Sequence, residues 1–321
     1  MAVNTLKYNM KGPKILKNKF ISLPIITTLI LCLLVGGCAS PNPSQQVNST
    51  HTQASGQPNP IQTPPTYPTK LLKVHFIDVG QGDAILIQTP DGQNMLVDAG
   101  ENDYGDVVVN YLISQGVKDL DIVLGTHPHS DHIGGLDTVI KYFPIKYIYM
   151  PKATNNTDSF RDVLNAVKNK GLKISTAKAG VVLPLDGVNC RFVAPVKDSY
   201  EELNNYSGVI RLDYGSQSFL LTGDAGTESE AQMLSSGVNI KSTVLKVGHH
   251  GSYSSSSSRF LKAAAPQYAV IMAGKDNQYE HPHAQTLTRL TNAGINIYRS
   301  DQDGTILFAT DGKDMQVSQS R

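Results

Sequence analysis

The stretch Thr126-His127-Pro128-His129-Ser130-Asp131-His132-Ile133-Gly134-Gly135 sets three imidazoles and one carboxylate within six consecutive positions, directly after the apolar run Ile122 to Leu124. Imidazoles this close repel one another when protonated, so an unligated cluster has little structural use. Neutral imidazole and carboxylate are, however, the donors that suit zinc and neighbouring transition metals. The apolar run reads as a strand and the Gly-Gly pair as a turn, which puts the donors on a strand-end loop, a common place for chemistry. A solvated polar loop is the plainer alternative. Against it, seven of the nine histidines fall in this stretch, in His249-His250, or at His281 and His283.

Strand and helix patterns alternate along the rest of the chain. Leu72 to Val79, Asp83 to Thr89 and Gln93 to Val97 alternate or run apolar around a Pro90-Asp91-Gly92 turn and predict an antiparallel meander. A helix over Asp106 to Gln115 leads to a strand over Leu120 to Gly125 and then the histidine loop. Helices over Leu136 to Tyr142 and Phe160 to Lys170 flank a strand at Tyr147 to Met150. The second half follows the same logic, with a hairpin of Gly208 to Tyr214 and Gln217 to Thr222, a helix over Glu228 to Leu234 and strands at Thr243 to Val247 and Tyr268 to Met272. A helix over Ala284 to Ala293 and a closing strand at Gly304 to Ala309 complete it. The run Ser254 to Ser258 reads as a capping loop, with a late serine as N-cap of a helix beginning near Phe260.

The histidine loop carries an HxHxDH signature, and on it the chain resembles the metallo-β-lactamase superfamily. Asn94-Met95-Leu96-Val97 ends in Asp98-Ala99-Gly100, similar to the superfamily motif whose Asp buttresses the metal loop. Phe219-Leu220-Leu221-Thr222-Gly223-Asp224 resembles the strand whose terminal carboxylate bridges two metals, and Val244-Leu245-Lys246-Val247-Gly248-His249-His250-Gly251-Ser252 resembles the last metal-binding strand and loop. The implied fold is α/β (α+β), a four-layer αββα metallo-β-lactamase sandwich, which two similar halves of alternating strands and helices suit. A narrower resemblance is to the soluble hydrolase domain of the ComEC family of DNA-uptake competence proteins. It rests on Phe76-Ile77-Asp78-Val79-Gly80-Gln81-Gly82-Asp83-Ala84, His249-His250-Gly251-Ser252 and Asn277-Gln278-Tyr279-Glu280-His281-Pro282, and covers about residues 71 to 310. The membrane channel of that family is expected to have no counterpart here.

The resemblance implies His127 and His129 on one divalent ion, Asp131, His132 and His249 on a second, and Asp224 between them, with Asp78, Asp83 and Asp98 behind the ligands. Superfamily members usually place a further histidine before the Gly-Asp strand, but Asn204-Asn205-Tyr206-Ser207-Gly208 stands there instead, as in ComEC-like relatives. The His127 and His129 site is then one protein ligand short, and this departure counts against β-lactam hydrolysis. His250 either completes that site or stands behind it as a donor. Zinc is the expected metal, with manganese the alternative where carboxylates and histidines mix. Two ions ~3.5–4 Å apart would activate a water near neutral pH and clamp substrate oxygens, so no Ser-His-Asp arrangement is invoked. Asp131, His250 and His281 are the candidate catalytic residues. His281 suits protonation of a leaving alkoxide or binding of a phosphoryl oxygen, with a structural histidine at a turn as the plainer reading. Lys246 offers either charge near substrate or a structural ion pair.

Lys7, Lys11, Lys14, Lys17 and Lys19 precede an apolar segment, Phe20 to Leu34, laid out as a secretory signal and too short to span a bilayer. Leu34-Val35-Gly36-Gly37-Cys38 is similar to a bacterial lipobox. Residues 1–38 are therefore expected to be a lipoprotein signal peptide and Cys38 the lipid-bearing N-terminus, an ordinary signal peptide being the plainer reading. Residues 39–70, rich in Pro, Ser, Gln, Asn and Thr, cannot support an ordered core and are expected to form a disordered tether to a hydrolase domain at 71–321. The expected location is exported, lipid-anchored on the outer face of a bacterial cytoplasmic membrane, or secreted. With Cys32 in the signal and Cys38 acylated, Cys190 alone remains, so no intramolecular disulfide is expected.

Five of the 28 lysines and arginines and none of the 27 acids precede Cys38, leaving 23 against 27 and a mildly acidic domain. High non-specific affinity for nucleic acid has no support in that balance, so capture of a polyanion would rely on bound divalent ions. The resulting expectation is a metal-dependent phosphodiesterase or nuclease acting on extracellular DNA, with a DNA-uptake machinery as partner. A phosphorylcholine esterase on teichoic acids and a non-catalytic DNA-binding lipoprotein are the alternatives.

Overall fold

Burial alternates along the central strands in a way that demands cover on both faces. The structure, a computed structural model, describes residues 70–321; the expected signal segment, lipobox and nearly all of the tether lie outside the described residues. In β1 (Leu72–Phe76), β2 (Ile85–Gln88) and β3 (Asn94–Val97), Val74, Phe76, Ile85, Ile87, Met95 and Val97 enter one apolar cluster, whereas Leu86 and Leu96 enter another. Successive side chains point to opposite faces of a strand, so a sheet with two apolar faces must be an inner layer.

The first half continues through α1 (Gly105–Ser114), β4 (Leu120–Leu124), the single turn α2 (Ser130–Ile133), α3 (Leu136–Tyr142), β5 (Ile145–Met150), α4 (Asp158–Asn169) and β6 (Ile174–Thr176). The second half comprises β7 (Val182–Leu183), β8 (Asn189–Phe192), β9 (Ile210–Tyr214), β10 (Gln217–Leu221), α5 (Thr227–Ser235), β11 (Val244–Lys246), α6 (Ser258–Ala264), β12 (Tyr268–Ile271), α7 (Ala284–Asn292), β13 (Asn296–Arg299) and α8 (Ser300–Asp303). Strands β14 (Ile306–Thr310) and β15 (Met315–Gln319) then return to the first half. Eight strands form one sheet in the order β15-β14-β1-β2-β3-β4-β5-β6, and seven form the other in the order β13-β12-β11-β10-β9-β8-β7. Each sheet is antiparallel on one side and parallel on the other: β3 to β6 run parallel, as do β10 to β13.

Phe76, Phe192, Phe219 and Phe308 fill the cluster between the sheets and are fully buried, each contributing on the order of 2–3 kcal/mol by removal from water. Helices cover the outer faces. Val108 and Leu112 of α1, Val139 and Ile140 of α3, and Phe160, Val163 and Val167 of α4 pack in the second cluster, while Met233 of α5, Phe260 and Leu261 of α6 and Leu290 of α7 fill a third. This is the expected αββα sandwich. Ser257 caps α6, its hydroxyl accepting from the Phe260 amide at 3.3 Å, which fits the capping reading of the serine run. The chain does not close at β14, since β15 pairs antiparallel to its outer edge. Among the described residues no helix is long and apolar enough to cross a membrane.

Candidate metal centre

In each sheet the site loops leave the carboxyl ends of parallel strands. Asp98 follows β3, the histidine loop follows β4, Asp224 follows β10, and His249 and His250 follow β11. Strand carboxyl ends are where α/β sheets leave crevices for ligands. Asp98 adopts φ 58°, which turns the chain so that its carboxylate accepts from the Thr126 amide at 2.8 Å and the Thr126 hydroxyl at 2.7 Å. The same carboxylate lies 2.8 Å from His132 Nδ1 and so directs Nε2 of that ring away from it.

Four side chains converge. Asp131, His132, Asp224 and His250 each offer a donor atom, and these atoms all lie within 4.8 Å of one another. His132 Nε2 and Asp224 Oδ1 are 3.1 Å apart and buried, yet neither makes an aligned hydrogen bond. Buried polar atoms left so are rare and costly. His250 Nε2 lies 3.0 Å from Asp131 Oδ2 and 3.5 Å from Asp224 Oδ2, while its Nδ1 faces the Met272 carbonyl at 2.8 Å. A histidine anchored through one ring nitrogen with the other presented to carboxylates has the form of a metal ligand. On the other side of Asp224, His127 Nε2 is 3.8 Å from Oδ2 and 3.0 Å from His129 Nδ1. His249 approaches Asp224 Oδ2 at 3.7 Å, with Asn204 Nδ2 at 3.3 Å from its ring.

Burial works against charge on all of these groups, and the balance differs from one to the next. At His132 it is outweighed by the carboxylates of Asp224, Asp131 and Asp98, which hold the imidazole well above its usual value. At His250 the carboxylates of Asp224, Asp131 and Asp83 raise it to about 10. At His127 burial and the neighbouring His132 act together and push it well below the usual value. Asp131 and the buried Asp224 are nevertheless held below the carboxylate range by the imidazoles around them. A centre that draws protons onto two of its histidines presents the negative potential that a divalent cation seeks. The unbonded His132 and Asp224 atoms, the donor types and this potential fit such an ion.

Of the expected ligands, Asp131, His132 and Asp224 come together, and two other positions lie elsewhere than expected. His250, not His249, stands with Asp131 and His132, because both residues of the pair take left-handed backbone (φ 50° and 52°) and the corner turns the second ring inward. His249 faces the His127 side, beside Asn204. Asp78 does not back the ligands: its carboxylate accepts from the Gly80 amide and pairs with Arg321, away from the centre. Asp83 does back them. It lies 3.4 Å from His250 Nδ1 and 2.8 Å from Lys246 Nζ, a fully buried ammonium, so Lys246 is an ion-pair partner and not a substrate contact. Thr126 and Ser207 brace the groups around the ligands. The Ser207 hydroxyl accepts from the Asp224 amide at 3.0 Å, within the stretch where a further histidine ligand is missing. Position next to a ligand is the only signal that marks Thr126 in the sequence.

Above the donors is a cavity of about 280 Å³ lined by Gln81, Glu101, Asn155, Asn204, Tyr279 and His281 among others. His281 lies with its ring 5.4 Å from that of His249 and 6.0 Å from that of His250, and its Nδ1 is buried without a partner. Burial and the charge of His250 lower its pKa to about 4. Cavities of about 550 and 730 Å³ adjoin on either side, the first sharing Gln81, Glu101 and Tyr279 with the centre and the second Glu101, Ser130 and Thr157.

The family model of the metallo-beta-lactamase superfamily matches residues 77–275. The chain is 33% identical over 253 residues to ComE operon protein 3 of Bacillus subtilis (strain 168), covering 74% of this chain and 33% of that protein. It is 31% identical over 247 residues to competence protein ComA of Neisseria gonorrhoeae, covering 76% of this chain and 33% of the relative. The chain thus spans about a third of the length of the curated relatives it matches. Among solved structures, the metallo-beta-lactamase fold protein YhfI of Bacillus subtilis superposes with a TM-score of 0.51 at 16% identity, over 75% of this chain and 100% of that one, a likeness of fold. Strand-end donors on two facing sheets and the extent of the family match lead to one assignment: this chain belongs to the metallo-beta-lactamase superfamily of metal-dependent hydrolases.

Proposed function

We propose that the chain is a metal-dependent phosphodiesterase, and specifically a nuclease acting on extracellular DNA while tethered to the outer face of a cytoplasmic membrane through acylated Cys38. The observation that carries the hydrolytic reading is the convergence of Asp131, His132, Asp224 and His250 beneath an open cavity that Asp131, Asp224 and His250 line, with His132 Nε2 and Asp224 Oδ1 unbonded to each other. The DNA reading is supported by the relative named for competence, ComA of Neisseria gonorrhoeae.

Asp131, His132, Asp224 and His250 would hold one divalent ion, and His127, His129 and Asp224 a second, zinc being favoured and manganese the alternative. Bound ions of this kind supply Lewis acidity and a nucleophilic water at neutral pH. The protein's own part is positional. Asp98 fixes the ring of His132, Asp83 and the Met272 carbonyl fix that of His250, and Ser207 fixes the Asp224 amide. His281, kept neutral by burial, presents an imidazole beside the reacting diester, where it can hydrogen-bond a phosphoryl or leaving oxygen.

Hydrolysis of bis(p-nitrophenyl) phosphate and of labelled DNA by the purified chain, with zinc or manganese added, tests this reading. Turnover of both that falls at least about 100-fold in Asp131→Ala supports it. Cleavage of p-nitrophenyl phosphorylcholine alone would move the substrate to choline phosphodiesters, and stoichiometric DNA binding with no metal-dependent cleavage would make the chain a binding module.

A further inference from the structure

Tyr279 is 52% exposed at the boundary between the centre's cavity and the adjoining cavity of about 550 Å³. Its ring stacks on that of His281, with centroids 5.7 Å apart and planes 24° from parallel. His281 in turn meets His283 edge-on at 4.9 Å, and His283 meets Tyr253, itself 62% exposed, at 5.1 Å. Four rings therefore run in a row from Tyr279 and His281, which line the cavity, through His283 to Tyr253, with an exposed tyrosine at each end.

A single exposed tyrosine is ordinary on a protein surface. Tyr279 is set apart by how its loop is held. Asn277 Oδ1 accepts from the backbone amides of Tyr279 at 3.1 Å and His281 at 3.0 Å, while Asn277 Nδ2 donates to the backbone carbonyls of Gly274 at 2.8 Å and His281 at 2.6 Å. Asp276 and Glu280 on either side adopt φ 53° and 56°, conformations that cost side-chain-bearing residues roughly 1 kcal/mol or more each. A loop backbone held by that many bonds and two strained positions presents its outward ring with little main-chain freedom left to lose on binding.

The nature of the contact follows from charge. The adjoining cavity is lined by Asp78, Glu101 and Asp301 against Lys275 and Arg321, and Arg321 is already paired with Asp78. Phosphate contacts there are few, so the faces of the bases must supply much of the hold on a strand. Aromatic side chains stack on every base because every base has a π-face.

We propose that Tyr279 is a stacking platform for an unpaired nucleobase flanking the scissile diester, which makes single strands or strand ends the preferred substrate. The proposal rests on the nuclease reading above. Bases inside a duplex have no free face, so Tyr279 can discriminate only once a strand is unpaired.

The test compares kcat/KM of the full chain on a single-stranded oligonucleotide with that on the same oligonucleotide carrying abasic residues beside the cleavage site, and on its duplex. The expected result is a preference for the intact single strand of about 5-fold or more over the abasic one. That ratio should collapse toward one in Tyr279→Ala and persist in Tyr279→Phe, the change residing in KM. An unchanged ratio in Tyr279→Ala, or equal cleavage of duplex and single strand by the native chain, overturns the stacking proposal while leaving the nuclease reading intact. Failure of the native chain to cleave any DNA overturns both.

Discussion

His75 stands on β1 facing the outer helices, where its Nδ1 lies 2.9 Å from the Tyr111 hydroxyl and its Nε2 is buried without a partner. Burial, assisted by the charge of Lys73, lowers its pKa to about 4 from 6.5. The unfolded chain therefore takes up this proton at higher pH than the folded one. The associated stability is complete above about pH 6.5 and is lost as pH falls from there toward 4, by up to about 3 kcal/mol. His75→Gln keeps a polar side chain and removes the titration. Urea midpoints at pH 7.5, 6 and 5 should fall less steeply in the variant than in the native chain; parallel slopes would show that His75 is free to charge in the fold. The metal-centre histidines titrate in both proteins and cancel in that comparison. Adjacent residues also show where a sequence stops being readable: spacing cannot say which of His249 and His250 turns inward, because the choice is made by two left-handed backbone positions in succession.

The loop between β1 and β2 shows how one element disciplines another. Gly82, at φ 136°, packs so closely that a Cβ would collide with the Asp131 carbonyl, and the Asp83 amide donates to that same carbonyl at 3.1 Å. Gly92, at φ 90° in the next hairpin, has open space around its missing Cβ. Both positions disfavour alanine through backbone strain, but only Gly82 touches the ligand loop. Gly82→Ala should cost several kcal/mol and reduce bound metal measured by elemental analysis, whereas Gly92→Ala should cost on the order of 1–2 kcal/mol and keep its metal. Equal metal content in the two variants would mean that the loop does not set the position of Asp131. Elements with a buried apolar face, such as the meander, the β9 and β10 hairpin, α4 and the strand before the histidine loop, are legible from periodicity. Strands β6, β7 and β15 are not, since they are edge strands with at most one buried residue and leave too little pattern. The ligand loop is legible because its donors are contiguous, while the Asp83 and Lys246 pair joins residues 163 positions apart that only the fold brings together.

At the scale of the molecule, the centre lies where the two sheets meet. His127, His129, Asp131 and His132 come from a loop of the first sheet, and Asp224, His249 and His250 from strand ends of the second. An ion shared between these groups would bind the folded chain and find no assembled site in the unfolded one, so its binding free energy adds to stability. It would also neutralise the charge of Asp131 and Asp224, which in the protein alone must be balanced by imidazoles raised above their usual value. With free metal at ~100–1,000 times its Kd the gain is about 3–4 kcal/mol, or roughly 5–15 °C in Tm for a domain of this size. Thermal melts with zinc or manganese, and after exhaustive chelation, should differ by that amount. Asp224→Asn should shrink the difference, because Asp224 is the one carboxylate both sides of the centre share. A native chain whose Tm ignores chelation, and whose elemental analysis shows no bound divalent metal, would leave Asp131, His132, Asp224 and His250 as a buried ionic network, and the hydrolytic reading would lose its physical basis.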